Sequence, residues 1–459
     1  MRFSSQFCSV FFFFTLVSTI PLFAEKALTL KEAHQRAIEN SSGIEASENA
    51  IQAARVAGTE VSRNRLPRIQ FHSSVTRGNH PVYVFGTLLT QGEFAAKHFD
   101  VSFLNDPPDR TNFRNALELG VPLFTGFQLS DQRKIAKLQE KKATLYQELI
   151  TQQTSLELVK SYFELVNLQQ SRASLERRIA SSKKELDSAK KLMKRGRVFG
   201  SDFYAAQALL QGLQAELSMV QARSKASKER LRILLNEDQA ESLHVDAHLS
   251  EPSYTIPSEK DILAKAHQRP DVKMSRLDKK MAVRSAKIDK RQVVPRVEAF
   301  GQIETNTEDF GRNPSNRMGG IQLQTPFGDP SYYAKNKKAT FLIKAATAES
   351  EYKQDQSEME VLSLLRAYEG TLEVIPFIKS AKENAAISLE KFRPLYREGR
   401  QSVLEVLRAE KALADASRGY DQAIFAAHLT YTQLQMAMGQ LRENVIDELN
   451  QHLVYGSEK

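Results

Sequence analysis

The chain of 459 residues contains 64 Lys and Arg against 55 Asp and Glu, which gives a formal net charge of +9. The positive charge is spread along predicted helices together with almost as many acids, and no basic patch is interleaved with aromatic residues, so nucleic acid is excluded as a partner. A mean hydropathy of −0.42 also excludes a bundle of membrane-spanning helices.

Residues 1–24 have the pattern of a secretory signal peptide. Arg2 supplies the positive start, and Ala24 offers a small residue for cleavage. The apolar run between them, at residues 10–20, is too short to span a membrane as a helix. The only cysteine, Cys8, lies within this segment, so a processed chain would contain no disulfide and no thiolate site.

The first half of the mature chain is predicted to contain a helix, two strands and two long helices. Residues 28–66 read as one helix, and alternating apolar residues predict strands on either side of a Gly/Pro/Asn-rich stretch at 77–111. That stretch is predicted to be a long surface loop. Residues 130–194 contain neither proline nor glycine and predict a helix about 100 Å long. A glycine turn at Gly196 leads into a returning helix at 202–235.

The same order of elements is predicted again in the second half. A helix at 262–294 precedes two alternating strands, and a long helix at 332–397, interrupted by Pro376, leads through a turn at Gly399 to a returning helix at 404–439. An internal repeat of this size indicates a duplicated unit. The predicted domains are a signal peptide, a first repeat, a polar connector, a second repeat and a polar tail, at residues 1–24, 25–240, 241–256, 257–445 and 446–459.

The two turns between long helices also correspond to each other. Gly196 aligns with Gly399, and Asp202 aligns with Glu405. Glycine ends a helix readily because it enters the left-handed conformation without a Cβ clash. After the second turn, Ser402 is predicted to cap the next helix.

The four predicted strands have one apolar and one polar face and are about as long as strands that cross a bilayer. Four strands cannot close a barrel, and open sheet edges in lipid leave backbone groups without hydrogen bonds. The strands of several subunits must therefore be combined. Amphipathic helical hairpins of this length likewise require lateral packing against copies of themselves, which predicts a tube with a polar lining.

The chain resembles the TolC-type outer-membrane efflux family over essentially the whole mature length. Two helices end before a proline, at Leu66-Pro67 and Val294-Pro295, and two strands end in VPLFTG at 121–126 and TPFGD at 325–329. The two glycine turns lie at Gly196 and Gly399. The family signature around the second turn consists of Tyr396, Gly399, Ser402, Glu405, Val406 and Leu407, and the resemblance is carried by all of these features. It implies a mainly α fold with a membrane β-barrel portion. It also implies a trimer with a twelve-stranded barrel and a twelve-helix periplasmic tunnel.

The resemblance further implies a function and a location. Such trimers lie in the outer membrane of Gram-negative bacteria, in contact with its lipid, and extend into the periplasm. They are passive exit ducts of tripartite efflux or type I secretion systems. A periplasmic adaptor protein docks at the helical tips, and an inner-membrane pump supplies the energy.

The family closes its tunnel near the helical tips with hydrogen bonds, ion pairs and rings of acids. By position, Asp202 and Glu405 fall where such acids lie. The alternative is that both are ordinary first-turn acids that complement a helix dipole. The chain departs from the family pattern at Arg408, where many members have a second acid, and at Gln401, where a positive gate residue can occur. Tyr396 is predicted to be a hydrogen-bonding partner in closure, with a packed helix-end tyrosine as the alternative.

The same resemblance assigns adaptor docking to the tips of the two turns. The residues concerned are the turn glycines and the arginines beside them: Gly196, Arg197, Gly399 and Arg400.

The sequence contains no nucleophile–base constellation, phosphate loop or dinucleotide-binding turn, so neither an enzyme nor a cofactor is predicted. His244 and His248 have the i, i+4 spacing of metal ligands, but a solvated loop is the preferred interpretation. A periplasmic coiled-coil adaptor or scaffold is the alternative function. Adaptors have long helical hairpins but lack two strand pairs of membrane length. The exported substrate and the pump's energy source are not encoded in this chain.

Overall fold

The computed structural model describes residues 27–196, 199–238, 243–309, 315–326, 328–398 and 400–456, so the predicted signal peptide lies outside the described residues. The helices are α1 Leu30–Glu39, α2 Ser42–Arg63, α3 Pro81–Thr90, α4 Val101–Asn105, α5 Gln128–Lys194, α6 Gly200–Leu235, α7 Glu259–Ala266, α8 Pro270–Lys290, α9 Tyr332–Arg397, α10 Val403–Ala437 and α11 Glu443–Gln451. The strands are β1 Arg68–Gly78, β2 Arg110–Phe124, β3 Ala247–Leu249, β4 Arg296–Thr307, β5 Ser315–Gln324 and β6 Leu453–Tyr455.

Two very long helical hairpins dominate the molecule. Helices α5 and α9 contain 67 and 66 residues, which corresponds to about 100 Å each, and they are followed by the shorter α6 and α10. Helix α9 continues through Pro376, so the predicted interruption there was wrong. Within the described part of the chain, no helix is both long and apolar enough to cross a membrane.

Both predicted helices that precede the strands are divided into two. The first begins with a capping box, in which the Thr29 hydroxyl accepts from the Glu32 N–H and the Glu32 carboxylate accepts from the Thr29 N–H. It ends at Asn40, and Ser41 then caps α2 through the Ile44 N–H. In the second half the division precedes Pro270, which occupies the first turn of α8, where no backbone N–H is needed.

The long strands form one antiparallel sheet in the order β1-β2-β4-β5. Pairing places Phe71 opposite Leu117, and Leu117 opposite Ile303, so the predicted apolar positions share one face. That face is exposed in the single chain: the exposed fractions of Ile69 and Ile321 are 69% and 71%. The opposite face is polar and includes an ion pair between Arg114 and Glu304 at 2.7 Å.

The stretch between β1 and β2 is not the irregular loop that its composition predicted. It contains α3, a 3₁₀ turn at Ala96–Phe99 and α4, and it buries Val84 and Leu88. Its glycines and prolines are helix boundaries: Pro81 begins α3, and Gly92 follows the helix end at a φ of +68°. The helix was missed because this short segment owes its order to contacts with the end of the sheet.

The connector and the tail were predicted to be merely polar, and the structure corrects this. Strand β3 of the connector pairs with β6 of the tail, and Leu243, Val245 and Ala247 are buried. Helix α11 adds further buried residues, namely Val445, Ile446 and Leu449. The alternation of these apolar residues with His244, Asp246 and His248 concealed a strand whose partner lies some 200 residues away in the sequence.

A buried polar cluster joins this small sheet to α10. The Tyr254 ring stacks on Tyr431 with centroids 3.7 Å apart, and the Tyr254 hydroxyl is hydrogen-bonded to Nδ1 of His428. The Ser250 carbonyl lies 2.9 Å from Nε2 of His428 and can only accept, so Nε2 carries the proton and the imidazole is neutral. Burial lowers the pKa of His428 to about 4.

We expect His428 to make folding stability depend on pH. The pKa of its imidazole is about 4 when folded and about 6.5 when unfolded. Its contribution is therefore complete above pH 6.5 and is lost as the pH falls towards 4, by up to about 3 kcal/mol. Thermal unfolding of the wild type and His428→Gln at pH 7.5 and 4.5 checks this, because the variant should lose less stability on acidification. His244→Gln, an exposed imidazole, is the control, and equal pH sensitivity in all three proteins would contradict the prediction.

Candidate functional site

The candidate site is the end of the molecule where both long hairpins turn. After α5, Gly196 adopts a φ of +72°, and its N–H donates to the Met193 carbonyl at 2.9 Å. After α9, the Arg400 N–H donates to the Leu395 carbonyl at 2.8 Å, which satisfies one of the last carbonyls of the helix. The predicted docking residues Arg197 and Gly399 lie outside the described residues.

The first turns of α6 and α10 lie together. A compact apolar cluster connects them and the end of α5, and it consists of Ala189, Phe203, Ala206, Val403 and Leu407, with Tyr396 packed against it. Asp202 and Glu405 therefore occupy the first turns of two neighbouring helices. The two positions that align in the sequence therefore also lie on helices that are neighbours in space.

The charged and polar residues predicted at this end differ in their surroundings. Glu405 forms an ion pair with Arg408 at 2.7 Å. Asp202 is half-buried and has no ion-pair or hydrogen-bond partner among the described residues, while Gln401 is exposed at the helix start. Ser402 occupies the N-cap position of α10, but its hydroxyl makes no capping hydrogen bond, contrary to the prediction.

Tyr396 lies inside the tip. Its hydroxyl is buried and has no hydrogen-bond partner in the described part of the chain. Burial raises the pKa of the Tyr396 hydroxyl, and the negative charge of Glu185 raises it further. The hydroxyl is therefore a neutral donor at ordinary pH. A buried polar group without a hydrogen bond costs free energy, so this hydroxyl destabilises the tip in the isolated chain.

The most extensive polar contacts near the tip surround Glu410, which sequence reasoning did not assign a function. Its carboxylate is 5% exposed and accepts from Arg393 of α9 at 2.9 Å. The hydroxyls of Ser181 and Ser182 on α5 donate to it at 3.1 and 3.2 Å. One carboxylate thus joins three long helices. A sequence signal existed, since Glu410 is the i+7 residue of the apolar stripe that begins at Val403.

Phe199 is a second residue that the sequence reading missed. It precedes α6 beside the Gly196 turn, and its side chain is 80% exposed. A large exposed aromatic at the extreme end of a helical hairpin suits contact with another protein. The neighbouring turn offers open space too, because nothing lies within 4 Å of where a Gly196 Cβ would be.

The described residues contain no group of three or more His, Cys, Asp or Glu side chains that could hold a metal ion. His244 and His248 point to the exposed side of the β3 segment, and Nδ1 of His248 lies 2.9 Å from the Gln170 amide.

We expect Glu410→Ala to loosen the tip far more than Glu405→Ala. Removing the buried carboxylate leaves three donors without their partner, which costs about 1–3 kcal/mol, whereas an exposed ion pair contributes less than about 1 kcal/mol. Both acids lie on α10 and bind an arginine, and they differ in burial and in the two serine donors that only Glu410 has. Amide hydrogen exchange of the segments 389–396 and 403–411 measures the difference. Equal exchange rates in the two variants would contradict the prediction.

Comparison with known proteins gives one family and several relatives. The family model Outer membrane efflux protein matches residues 33–237, from α1 to just beyond α6. The chain is 22% identical over 265 residues to Outer membrane protein TolC of Vibrio cholerae serotype O1 (strain ATCC 39315 / El Tor Inaba N16961). That match covers 54% of this chain and 59% of the length of the relative.

Several solved structures share the fold. The CmeC outer membrane channel of Campylobacter jejuni superposes with a TM-score of 0.76 at 15% identity, covering 94% of this chain and 90% of that chain. The outer membrane protein VceC of Vibrio cholerae gives 0.74 at 16% identity, covering 89% and 96%. The outer-membrane channel OprN gives 0.76 at 18% identity, covering 90% of each chain. The mostly helical chain with its one large sheet therefore has the fold of these channels.

Proposed function

The chain belongs to the outer membrane efflux protein family, as the sequence predicted, and on that premise we propose that it is a passive exit duct of a tripartite efflux or type I secretion system. An outer-membrane location follows from this membership. We further propose that the chain forms a homotrimer, which opens at its helical tips when a periplasmic adaptor and an inner-membrane pump engage. The pump supplies the energy.

The sheet is the observation that carries this proposal. Its strands contain 11, 15, 12 and 10 residues, which is enough for each to cross a bilayer at a tilt. Most of one face is apolar and exposed, and β1 and β5 each pair on one side alone within the described chain. Lipid can solvate such a face but not the edges, so neighbouring copies must pair with them. Three copies would supply twelve strands.

The helices extend this arrangement away from the membrane. Helices α5 and α9 follow β2 and β5 after short connections, so a ring of sheets places a ring of hairpins beneath it. The two halves, proposed as repeats at 25–240 and 257–445, have the same order of elements apart from α3 and α4, which lie between β1 and β2. Twelve helices from three copies would enclose a tunnel of about 100 Å.

We propose that the tunnel closes near Tyr396 and Glu410. Glu410 ties the α9–α10 hairpin to α5, and Arg393 also lies 3.7 Å from Glu185 of α5. Outward movement of this hairpin has to separate these groups. Threefold repetition of Asp202 and Glu405 places six carboxylates at the entrance, and Arg408 offsets half of that charge through its ion pair with Glu405. Tyr396 packs inside the closed tip, and exposed Gln401 hydrogen-bonds across the closed entrance.

The adaptor is proposed to dock on the exposed ends of the two turns. Phe199 supplies an apolar contact residue beside Gly196. Arg400 supplies a positive charge, and its side chain is 71% exposed. Arg197 and Gly399 complete the proposed surface by their positions in the sequence. The turn at Gly196 keeps the backbone accessible, because nothing lies within 4 Å of where its Cβ would be.

We expect the purified mature protein to form small cation-preferring channels in a planar bilayer. Removing carboxylates at the entrance, in Asp202→Ala with Glu405→Ala, should lower the cation preference roughly twofold, because fixed acids concentrate cations. Arg408→Ala should act in the opposite direction, since it removes the charge that neutralises Glu405. Glu390→Gln, an exposed acid on α9, is the control. Bilayer conductance with reversal potentials in a salt gradient measures all four.

Each outcome of this experiment has a distinct meaning. Opposite shifts in the two tip variants support the proposed gate. Unchanged ion preference in both would leave a channel whose entrance is formed by other residues. A protein that never inserts would favour the periplasmic scaffold. Light scattering of the same preparation tests the trimer. After the mass of bound detergent is subtracted, the protein mass of the particle should equal that of three chains.

A further inference from the structure

A groove crosses the apolar face of the four-stranded sheet where two glycines are paired. Gly301 of β4 lies opposite Gly319 of β5, so this row of the face has no side chains on two adjacent strands. The resulting groove has a volume of about 460 Å³. Its apolar walls are formed by the side chains of Ile69, Leu117, Leu119 and Ile303.

One end of this groove is marked by a positive charge. Arg317 lines the groove and lies opposite Ile303, on the same face as the apolar walls. It is exposed and has no ion-pair partner among the described residues. It is two residues from the start of β5, at the end of the sheet that carries α3 and α4. This end is the one opposite the long helices.

The surface changes character next to Arg317. The next row of the same face towards the α3 end is polar on all four strands and consists of Ser73, Asn115, Thr305 and Ser315. The Ser73 hydroxyl donates to the Asn115 side chain at 2.7 Å. Val75 and Phe113 lie beyond this row on β1 and β2 alone. The arginine therefore stands where the continuous apolar surface ends.

An arginine on the lipid side of a strand is costly at the centre of a bilayer and tolerated near its surface. Its planar guanidinium donates two parallel hydrogen bonds to a phosphate, and it needs such a partner most where water is scarce. An apolar groove leading from that charge towards the membrane centre has the shape and polarity of an acyl chain below a phosphorylated headgroup. Both halves of an anionic lipid therefore find a complementary surface.

We propose that this groove binds an anionic lipid of the outer membrane whose headgroup carries phosphate, with a phosphate on Arg317 and an acyl chain over Gly301 and Gly319. The proposal rests on the proposed function in one respect, namely that the apolar face of the sheet lies in the membrane. It adds one specific lipid-binding site to a face that lipid otherwise contacts without specificity.

Native mass spectrometry of the purified assembly tests the site, with diphosphorylated lipid A, phosphatidylethanolamine and inorganic phosphate as probes. The wild type should retain lipid A in preference to phosphatidylethanolamine, and Arg317→Gln should lower lipid A retention about tenfold, because it removes a charge-assisted contact. Arg317→Lys should lose less. Arg68→Gln changes an exposed arginine on the opposite face of the sheet and should bind like the wild type.

A second variant tests the groove without changing any charge. Nothing lies within 4 Å of a Cβ at Gly301, so Gly301→Leu can fold and should fill the groove and reduce lipid A retention. Inorganic phosphate alone should not be retained. The proposal is overturned if Arg317→Gln binds lipid A as the wild type does, if Arg68→Gln loses as much, or if the wild type does not prefer lipid A.

Conductance of the same preparations separates this proposal from the proposed function. Arg317→Gln should keep wild-type conductance, since the residue is remote from the tips. Preserved lipid A selectivity in a protein without conductance would count against the duct alone. Normal conductance without lipid A selectivity would count against the lipid site alone.

Discussion

The unpaired edges of the four-stranded sheet are the constraint on which the rest of the structure depends. A backbone N–H or C=O without a partner costs several kcal/mol in lipid, and β1 and β5 each present a row of them in the single chain. In the proposed trimer, copies of the chain that pair these edges would also bring their helices together, because α5 and α9 follow the sheet directly. The arrangement of the proposed helical wall would thus be a consequence of strand pairing.

The connection between sheet and helices is stiffened by one buried carboxylate. Asp131, in the first turn of α5, is 1% exposed and binds both Arg284 and Arg291 at the end of the α8 segment. Because the acid is shielded from water and doubly paired, breaking either contact is expensive. The backbone before it, at Gly126 and Phe127, has positive φ, so the chain turns sharply there from strand to helix.

The opposite end of the molecule also contains a buried carboxylate bound by an arginine. Glu410 is buried and bound by donors from α5 and α9, whereas Glu405, less than two turns away, is paired on the surface with Arg408. Surface pairs are screened by salt and contribute little, so of these two acids Glu410 contributes more to holding the hairpins together. At the proposed entrance, the exposed charge and the buried polar contact are therefore carried by different residues.

The sequence by itself determined the order of the long helices and long strands, the two long hairpins, the alternating strands and the glycine turn at Gly196, because these depend on local periodicity and on backbone conformations that few residues adopt. It also placed Asp202 and Glu405 at equivalent positions. Only the tertiary structure decided that β3 pairs with β6, that the 77–111 stretch contains helices, and that Glu410 rather than an exposed acid joins three helices. The physical reason is that each of these features depends on partners far away in the chain, whose proximity no local pattern encodes.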